Sequence, residues 1–299
     1  MDLVVHTVCF NEEAMLPHFL SYYAPQAKKI RIYDNQSTDR SVEIALSYPN
    51  VEVLSFGTEG KLSELSLMHL RNQGWKDERC DCMVVCDVDE FLYPSHLASF
   101  LQRHPEVDVF QPKGYDMVCD AFPPADGRLL TELVQWGSPH DNYSKMACFR
   151  PDKVIDMNYG PGSHLATPVG HAALNIYRAS DSPEDLKLLH YKNMGLAYRL
   201  RRHQALSARL AGEEFETYRF GFHYAFDAQA QQDEFNALKA SARQVIGLKS
   251  CSMSSVVGDI PAGARVFNYN PRERAATILD ALPIGVLADI DIKQPNTGI

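Results

Sequence analysis

The chain has 299 residues, 45% hydrophobic and 22% charged, an ordinary globular composition with length enough for one large domain or two. Its net charge of −9 argues against nucleic-acid binding, which normally needs a basic surface to neutralise phosphates. Seven cysteines in no disulfide pattern, an opening Met1-Asp2-Leu3-Val4-Val5 without the parts of a secretory leader, and no apolar run of membrane-spanning length lead us to expect a reduced, cytoplasmic protein.

Leu3-Val4-Val5-His6-Thr7-Val8 is a β-branched run that reads as a strand, and Leu16, Phe19, Leu20 and Tyr23 follow at helical spacing. Pro17 is tolerated only in a first turn, so the helix is expected to start near Met15, leaving Asn11-Glu12-Glu13 as a loop at the strand's carboxyl end. A second strand, Ile30–Tyr33, ends in Asp34-Asn35-Gln36-Ser37-Thr38-Asp39, residues suited to turn the chain and cap a helix around Val42–Leu46. Val51–Leu54 reads as a third strand, followed by Gly57, Gly60, Lys61 and a helical stretch with Leu62, Leu65, Leu70 and Trp75. A fourth strand, Met83–Cys86, runs straight into Asp87-Val88-Asp89-Glu90. Such alternation with short connections predicts a parallel sheet with right-handed crossovers, whose ligands bind at the carboxyl ends of the strands. Every one of these strand ends is polar.

In extended backbone Asp87 and Asp89 would project to the same side, about 7 Å apart. Two carboxylates held together need a neutralising group, and a hard divalent ion with oxygen ligands serves that purpose; a solvated acidic turn is the plainer alternative. Cys80, Cys82 and Cys86 lie nearby, but their spacing fits no common structural zinc site.

Further on, Pro94–Leu97 opens a short helix, and a strand at Val107–Phe110 leads toward Asp116. The long polar stretch 119–142 reads as a functional loop on the acceptor side, because loops of that length are either functional or disordered. Lys145 lies in a segment reaching Pro151, Gly160–His164 is a backbone-permissive turn presenting His164, and the apolar run Leu186–Leu189 ends in His190 with Lys192 two residues on. Leu196 to about Leu210 is a basic helix whose Arg199, Arg201 and Arg202 suggest peripheral contact with a lipid surface or an anionic acceptor. A helical run near Glu234–Ile246 follows, and no motif is evident beyond Cys251.

Asn11-Glu12-Glu13, Tyr33 to Asp39, Gly60-Lys61 and Asp87-Val88-Asp89-Glu90-Phe91-Leu92-Tyr93-Pro94 resemble the ordered motifs of GT-A glycosyltransferases. The branch resembled is a family-2-like one, with Asp-Asn-x-Ser-x-Asp followed by Asp-x-Asp-Glu-Phe. The likeness is close over about the first 95 residues and looser to about residue 205. It implies an α/β, Rossmann-like fold: a mostly parallel sheet flanked by helices, with a catalytic domain over 1–205 and a helical extension over 206–299. It further implies metal-dependent transfer of a sugar from a nucleotide-sugar, UDP-linked foremost, to a hydroxyl of a glycan or glycolipid, as in polysaccharide biosynthesis. The ion would be Mn²⁺ or Mg²⁺.

Carried over by motif, Asn11, Glu12 and Asp34 would lie at the base and ribose, and Lys61 near the nucleotide. Asp87 and Asp89 would hold ribose and metal, with His190 as third ligand and Lys192 against the diphosphate. Lys145 matches a Lys-x₄-Arg-Pro strand of the same branch and would touch diphosphate or acceptor. Asp116 is the first choice for the base that deprotonates the acceptor, with Asp120, Asp141 and His164 as alternatives. Two departures stand out: Gln36 replaces a usual glycine or small residue, and the Glu-Asp base motif of many inverting members is not evident, which leaves base and stereochemistry open. A sugar nucleotidyltransferase, or a non-catalytic nucleotide- or carbohydrate-binding protein of the same fold, is the rival reading.

Overall fold

The strand–helix alternation expected from the first third of the chain forms. In the computed structural model, which describes residues 1–247 and 292–293, β1 (Leu3–Cys9), α1 (Leu16–Tyr23), β2 (Lys29–Asp34), α2 (Ser41–Leu46), β3 (Val51–Phe56), α3 (Glu64–Gln73) and β4 (Cys82–Val85) follow one another. Pro17 sits in the first turn of α1, and Ser63 caps α3 by accepting the Ser66 N–H. β1 pairs in parallel with both β2 and β4, and β2 with β3, so the nucleus is a parallel 3-2-1-4 sheet.

The chain continues through β5 (Glu90–Tyr93), α4 (Leu97–Gln102), β6 (Val109–Gln111), β7 (Lys113–Cys119), α5 (Leu130–Leu133), β8 (Trp136–Pro139) and β9 (Cys148–Phe149). After these come β10 (Val154–Asp156), β11 (Val169–Gly170), β12 (Ile176–Arg178), β13 (Lys187–Met194), α6 (Leu196–Ser207), α7 (Glu213–Tyr218), α8 (Ala228–Ser241), β14 (Arg243–Gln244) and β15 (Ile292–Lys293). The main sheet has the order β12-β6-β9-β4-β1-β2-β3-β15, and a second sheet has the order β14-β8-β7-β13-β5. Phe91, immediately after the acidic turn, anchors β5 in the core, edge-on to Tyr22 and Tyr191 at 5.1 Å from each. A fully buried aromatic of this kind contributes about 1.5–3 kcal/mol. The acidic turn is thus fixed from below by the core.

Several expectations are corrected. Asp87-Val88-Asp89 is a turn, closed by the Glu90 N–H donating to the Asp87 carbonyl at 3.0 Å, and not extended strand, so the two carboxylates do not share a strand face. Stretch 119–142 holds the end of β7, α5 and β8, so it is no long loop; Asp116 lies within β7. His190 lies mid-strand, and an irregularity in β13 falls between it and Asn193. Bulges of this kind re-aim side chains beside sites. The expected helix over 234–246 begins at Ala228, capped by Asp227, and gives way to β14.

A domain boundary at 205 would cut α6, and the described part of the 206–299 extension contributes strands to both sheets. Most of that extension beyond 247, Cys251 included, lies outside the described residues. The other six cysteines are free thiols. Among the described residues no helix is long and apolar enough to cross a membrane. Arg199, Arg201 and Arg202 do not form a basic face: Arg199 is buried against Asn193, Gln231 and Glu234, Arg202 reaches Glu12 and Asp89, and only Arg201 is exposed.

Candidate active site

A cavity of about 260 Å³ opens at the carboxyl ends of β1, β2 and β4, as the crossover topology requires. Its floor is the acidic turn, and α6 with the segment after it forms one wall. Gly195 makes the sharp entry into α6 possible: its φ is +84°, and a Cβ there would lie 2.9 Å from the Ala121 Cα. From that start the helix brings Arg202 and His203 to the cavity.

Register places Glu90, His190 and Asp116 side by side across three strands of the second sheet. His190 Nδ1 is 3.0 Å from Asp116 Oδ1, and its Nε2 is 3.4 Å from Asp89 Oδ2. Arg202 Nη1 lies 3.0 Å from the same Asp89 oxygen, while its Nε and Nη2 donate to Glu12 Oε1 at 3.1 and 3.0 Å. Burial raises the Asp89 carboxyl, but Arg202 and His190 more than offset this and hold it well below the carboxylate range. Burial alone would lower the His190 imidazole; Asp89 and Asp116 raise it instead. Asp89 Oδ2 is buried and held by these two charged groups, Arg202 and His190.

Asp87 is engaged differently. Arg71 Nη2 donates to it at 2.8 Å and Lys145 Nζ at 3.3 Å, and these two cations outweigh burial and keep it ionised. Lys145 also lies 2.5 Å from Glu90, and Arg71 donates to Glu64 at 2.9 Å. The three expected metal ligands therefore do not converge: among the described residues no group of three or more His, Cys, Asp or Glu forms a metal cage. Asp89 and His190 are the pair whose chemistry fits a divalent ion. Their 3.4 Å separation suits two ligands each about 2.1 Å from one centre.

Other expected residues fall into two groups. Glu12, Lys145, His164 and Lys192 line the cavity with Asp87, Asp89 and His190. Asn11, Asp34, Lys61 and Asp116 do not. Asn11 ties loops together, its Oδ1 accepting the Thr38 N–H at 2.7 Å, and the Asp34 carboxylate accepts the Ser37 N–H at 3.1 Å. Lys61 pairs with Glu59 at the surface. Asp116 stands behind His190, with Lys192 Nζ at 3.7 Å. Asp120 and Asp141 are exposed partners of Lys239 and Lys113. Gln36 has φ +60°, which explains why glycine suits that position: a side chain in this region costs roughly 1–2 kcal/mol.

His164 is held as a neutral imidazole with one defined tautomer. Its Nδ1 lies 2.8 Å from the Asn142 carbonyl, which fixes the proton on Nδ1 and leaves Nε2 as the acceptor. Burial and Lys145 push its pKa well down, so the ring stays neutral. The Tyr143 ring lies between it and His190, with centroids 5.7 and 4.0 Å away.

Arg71, Arg202, His203 and Arg209 were missed by sequence reasoning. Arg71 and Arg209 carry no motif, whereas the Arg201-Arg202-His203 cluster was visible and assigned outward. In all, Arg71, Lys145, Lys192, Arg202, Arg209 and Arg219 face Glu12, Glu64, Asp87 and Asp89 around the cavity. An acidic protein thus has a cationic cavity.

A GT-A-like sheet with acids and an excess of cations at its carboxyl edge defines the class: a glycosyltransferase. Residues 4–155, just over half of the chain, match the Glycosyl transferase family 2 profile, and the chain belongs to that family. Solved structures similar in part include S. aureus TarS, at 16% identity over 75% of this chain and 43% of that one, with a TM-score of 0.38. Its 1–349 form gives 15% identity over 77% and 73%, with a TM-score of 0.37. Glucosyl-3-phosphoglycerate synthase from Mycobacterium tuberculosis, in complex with Mn²⁺, UDP and glucosyl-3-phosphoglycerate, gives 14% over 38% and 44%, with a TM-score of 0.28. The chain thus spans less than half the length of the full TarS chain. No curated protein matches it significantly.

Proposed function

We propose that this glycosyltransferase moves a sugar from a nucleoside-diphosphate donor, a UDP-sugar, to a hydroxyl of a glycan or glycolipid, with Mn²⁺ or Mg²⁺ held by Asp89 and His190. The observation that carries the reading is the buried Asp89–His190 pair, 3.4 Å apart on the floor of a cavity lined by more cations than acids. A bound ion would supply Lewis-acid stabilisation of the departing diphosphate. This chain's own contribution is positional. Asp116 fixes the His190 ring through Nδ1, leaving Nε2 for the metal side. Lys192 and Arg202 line the same end and offer charge to the leaving diphosphate. Arg71 and Lys145 hold Asp87 ionised, in place to accept hydrogen bonds from the ribose.

The acceptor hydroxyl attacks the anomeric carbon as the bond to the diphosphate oxygen breaks. Its proton passes to Nε2 of His164, the one base candidate of the four that lines the cavity. Asp116 acts instead through His190. Rival readings as a nucleotidyltransferase or a non-catalytic binder lose ground to the family match.

The test is donor turnover. Asp89→Asn is expected to lower both sugar transfer and acceptor-free donor hydrolysis by at least about a hundredfold while the protein keeps its melting transition. Turnover retained in the folded variant would remove Asp89, and the metal reading with it.

A further inference from the structure

Arg209 is a buried cation, 7% exposed, and among the described residues no carboxylate lies within ion-pair distance of it. Desolvation accordingly lowers its pKa, with no acidic neighbour to restore it. Buried charges without partners are costly, so an arginine left this way beside a cavity marks where a ligand belongs. Its plane lies over the Phe10 ring, 3.6 Å from the centroid. Nε donates to the Gly60 carbonyl at 3.1 Å, and Nη2 donates to the Lys61 carbonyl at 2.8 Å and to Asn35 Oδ1. Nη1 has no hydrogen bond among the described residues, and the residue lines the cavity. The guanidinium is therefore fixed by the Phe10 ring and by three acceptors on Gly60, Lys61 and Asn35, yet retains an unused donor pair on Nη1.

Its place in the fold says which part of a donor it meets. Phe10 follows the end of β1, Asn35 follows the end of β2, and Gly60-Lys61 follow β3, so Arg209 gathers the strand ends on the side away from the second sheet. Arg202, beside Asp89, is on α6, and Arg209 lies in the turn just past the end of that helix. With the diphosphate at Asp89 and Arg202, Arg209 is displaced from it in the direction of the nucleoside.

Building on the proposed UDP-sugar reading, we infer that Arg209 is the specificity-determining residue for the nucleobase, selecting a base whose edge carries a carbonyl over one that carries an amine. Uracil presents an acceptor at C4 where cytosine presents an amino donor. A guanidinium N–H meets the first as a hydrogen bond; against the second it leaves donor facing donor, a penalty worth a large discrimination in a buried site.

The experiment is calorimetric titration of the full chain, in the presence of Mn²⁺, with UDP, CDP and inorganic pyrophosphate, repeated on Arg209→Gln and Arg209→Lys. Expected are a preference of the parent protein for UDP over CDP, and at least tenfold weaker UDP binding in Arg209→Gln, about 1.4 kcal/mol. CDP should change by less than about twofold, and pyrophosphate should not change. Arg209→Lys, which keeps the charge but loses the planar fork, guards against loss of the fold and should also narrow the UDP-to-CDP ratio. Equal weakening of UDP and CDP in both variants, or any weakening of pyrophosphate, assigns Arg209 to phosphate or to structure and overturns the inference alone. A parent protein that binds no nucleoside diphosphate overturns the donor reading itself.

Discussion

Two ionic clusters occupy opposite parts of the same parallel sheet, and they are built differently. Toward the amino ends, Glu78 is met by Lys29 at 2.5 Å, Arg31 at 2.8 Å and His6 at 3.5 Å, and Arg31 is shared with Glu52 at 2.7 Å. There Lys29 and Arg31 meet Glu78 and Glu52, charge against charge. At the carboxyl ends the same residue types leave a remainder: an Arg209 with no carboxylate in ion-pair reach among the described residues, and a cavity with six basic and four acidic side chains around it. Both clusters are ionic, and each is built around buried groups: Glu78 and His6 in the first, Asp89, Glu12 and His190 in the second. Only the second is incomplete without a ligand, and that incompleteness separates a site from a structural network.

The comparison can be pressed from both sides. At the carboxyl end, Asp116→Asn keeps the shape of the His190 contact and removes its charge. We expect a 10- to 100-fold loss of Mn²⁺ affinity, of the order seen when partners behind metal ligands are changed. Unchanged Mn²⁺ affinity with turnover abolished would instead make Asp116 the base and displace His164.

At the amino end the expected effect is smaller and purely one of stability. His6, 3.5 Å away, and the nearby Lys29 and Arg31 hold the Glu78 carboxyl down at about 2, from an ordinary 4.5, against an opposing effect of burial. A depressed carboxyl stabilises the fold above its unfolded pKa and loses that contribution as pH falls through the folded value. Glu78→Gln should therefore be about 2 kcal/mol less stable near neutral pH. The two denaturation curves should converge as pH falls from about 4.5 to about 2. Nucleotide binding at neutral pH should not change, and a loss there would mean that the two clusters are coupled.

The sequence made the sheet legible because each of its first four strands is a short apolar run followed by polar turn chemistry, and each helix is periodic. Asp89, His190, Lys192 and Glu12 could be found for the same reason: they end or border such runs. Asp87 was visible but its role was not, because nothing in the sequence reveals that Arg71 and Lys145, distant along the chain, reach it in the folded state. Assuming extended backbone through Asp87-Val88-Asp89 produced the error, since turn and strand cannot be told apart over three residues. The inward side of α6 was obscured by arginine itself, which reads as solvated in sequence although Arg199 and Arg202 find Asn193, Glu234, Glu12 and Asp89. The cis-acting partners of a buried charge lie on other elements, out of reach of local pattern.

On the proposed reading, a divalent ion and a nucleoside diphosphate together complete the carboxyl-end cluster. The most direct test is the melting transition of the full chain with UDP, in Mn²⁺ and in EDTA, for the parent protein and Asp89→Asn. At a hundred times its dissociation constant UDP should add about 2.7 kcal/mol to the parent protein in Mn²⁺. That gain should vanish in EDTA and in Asp89→Asn. An equal shift in EDTA, or one that survives in Asp89→Asn, would contradict the account.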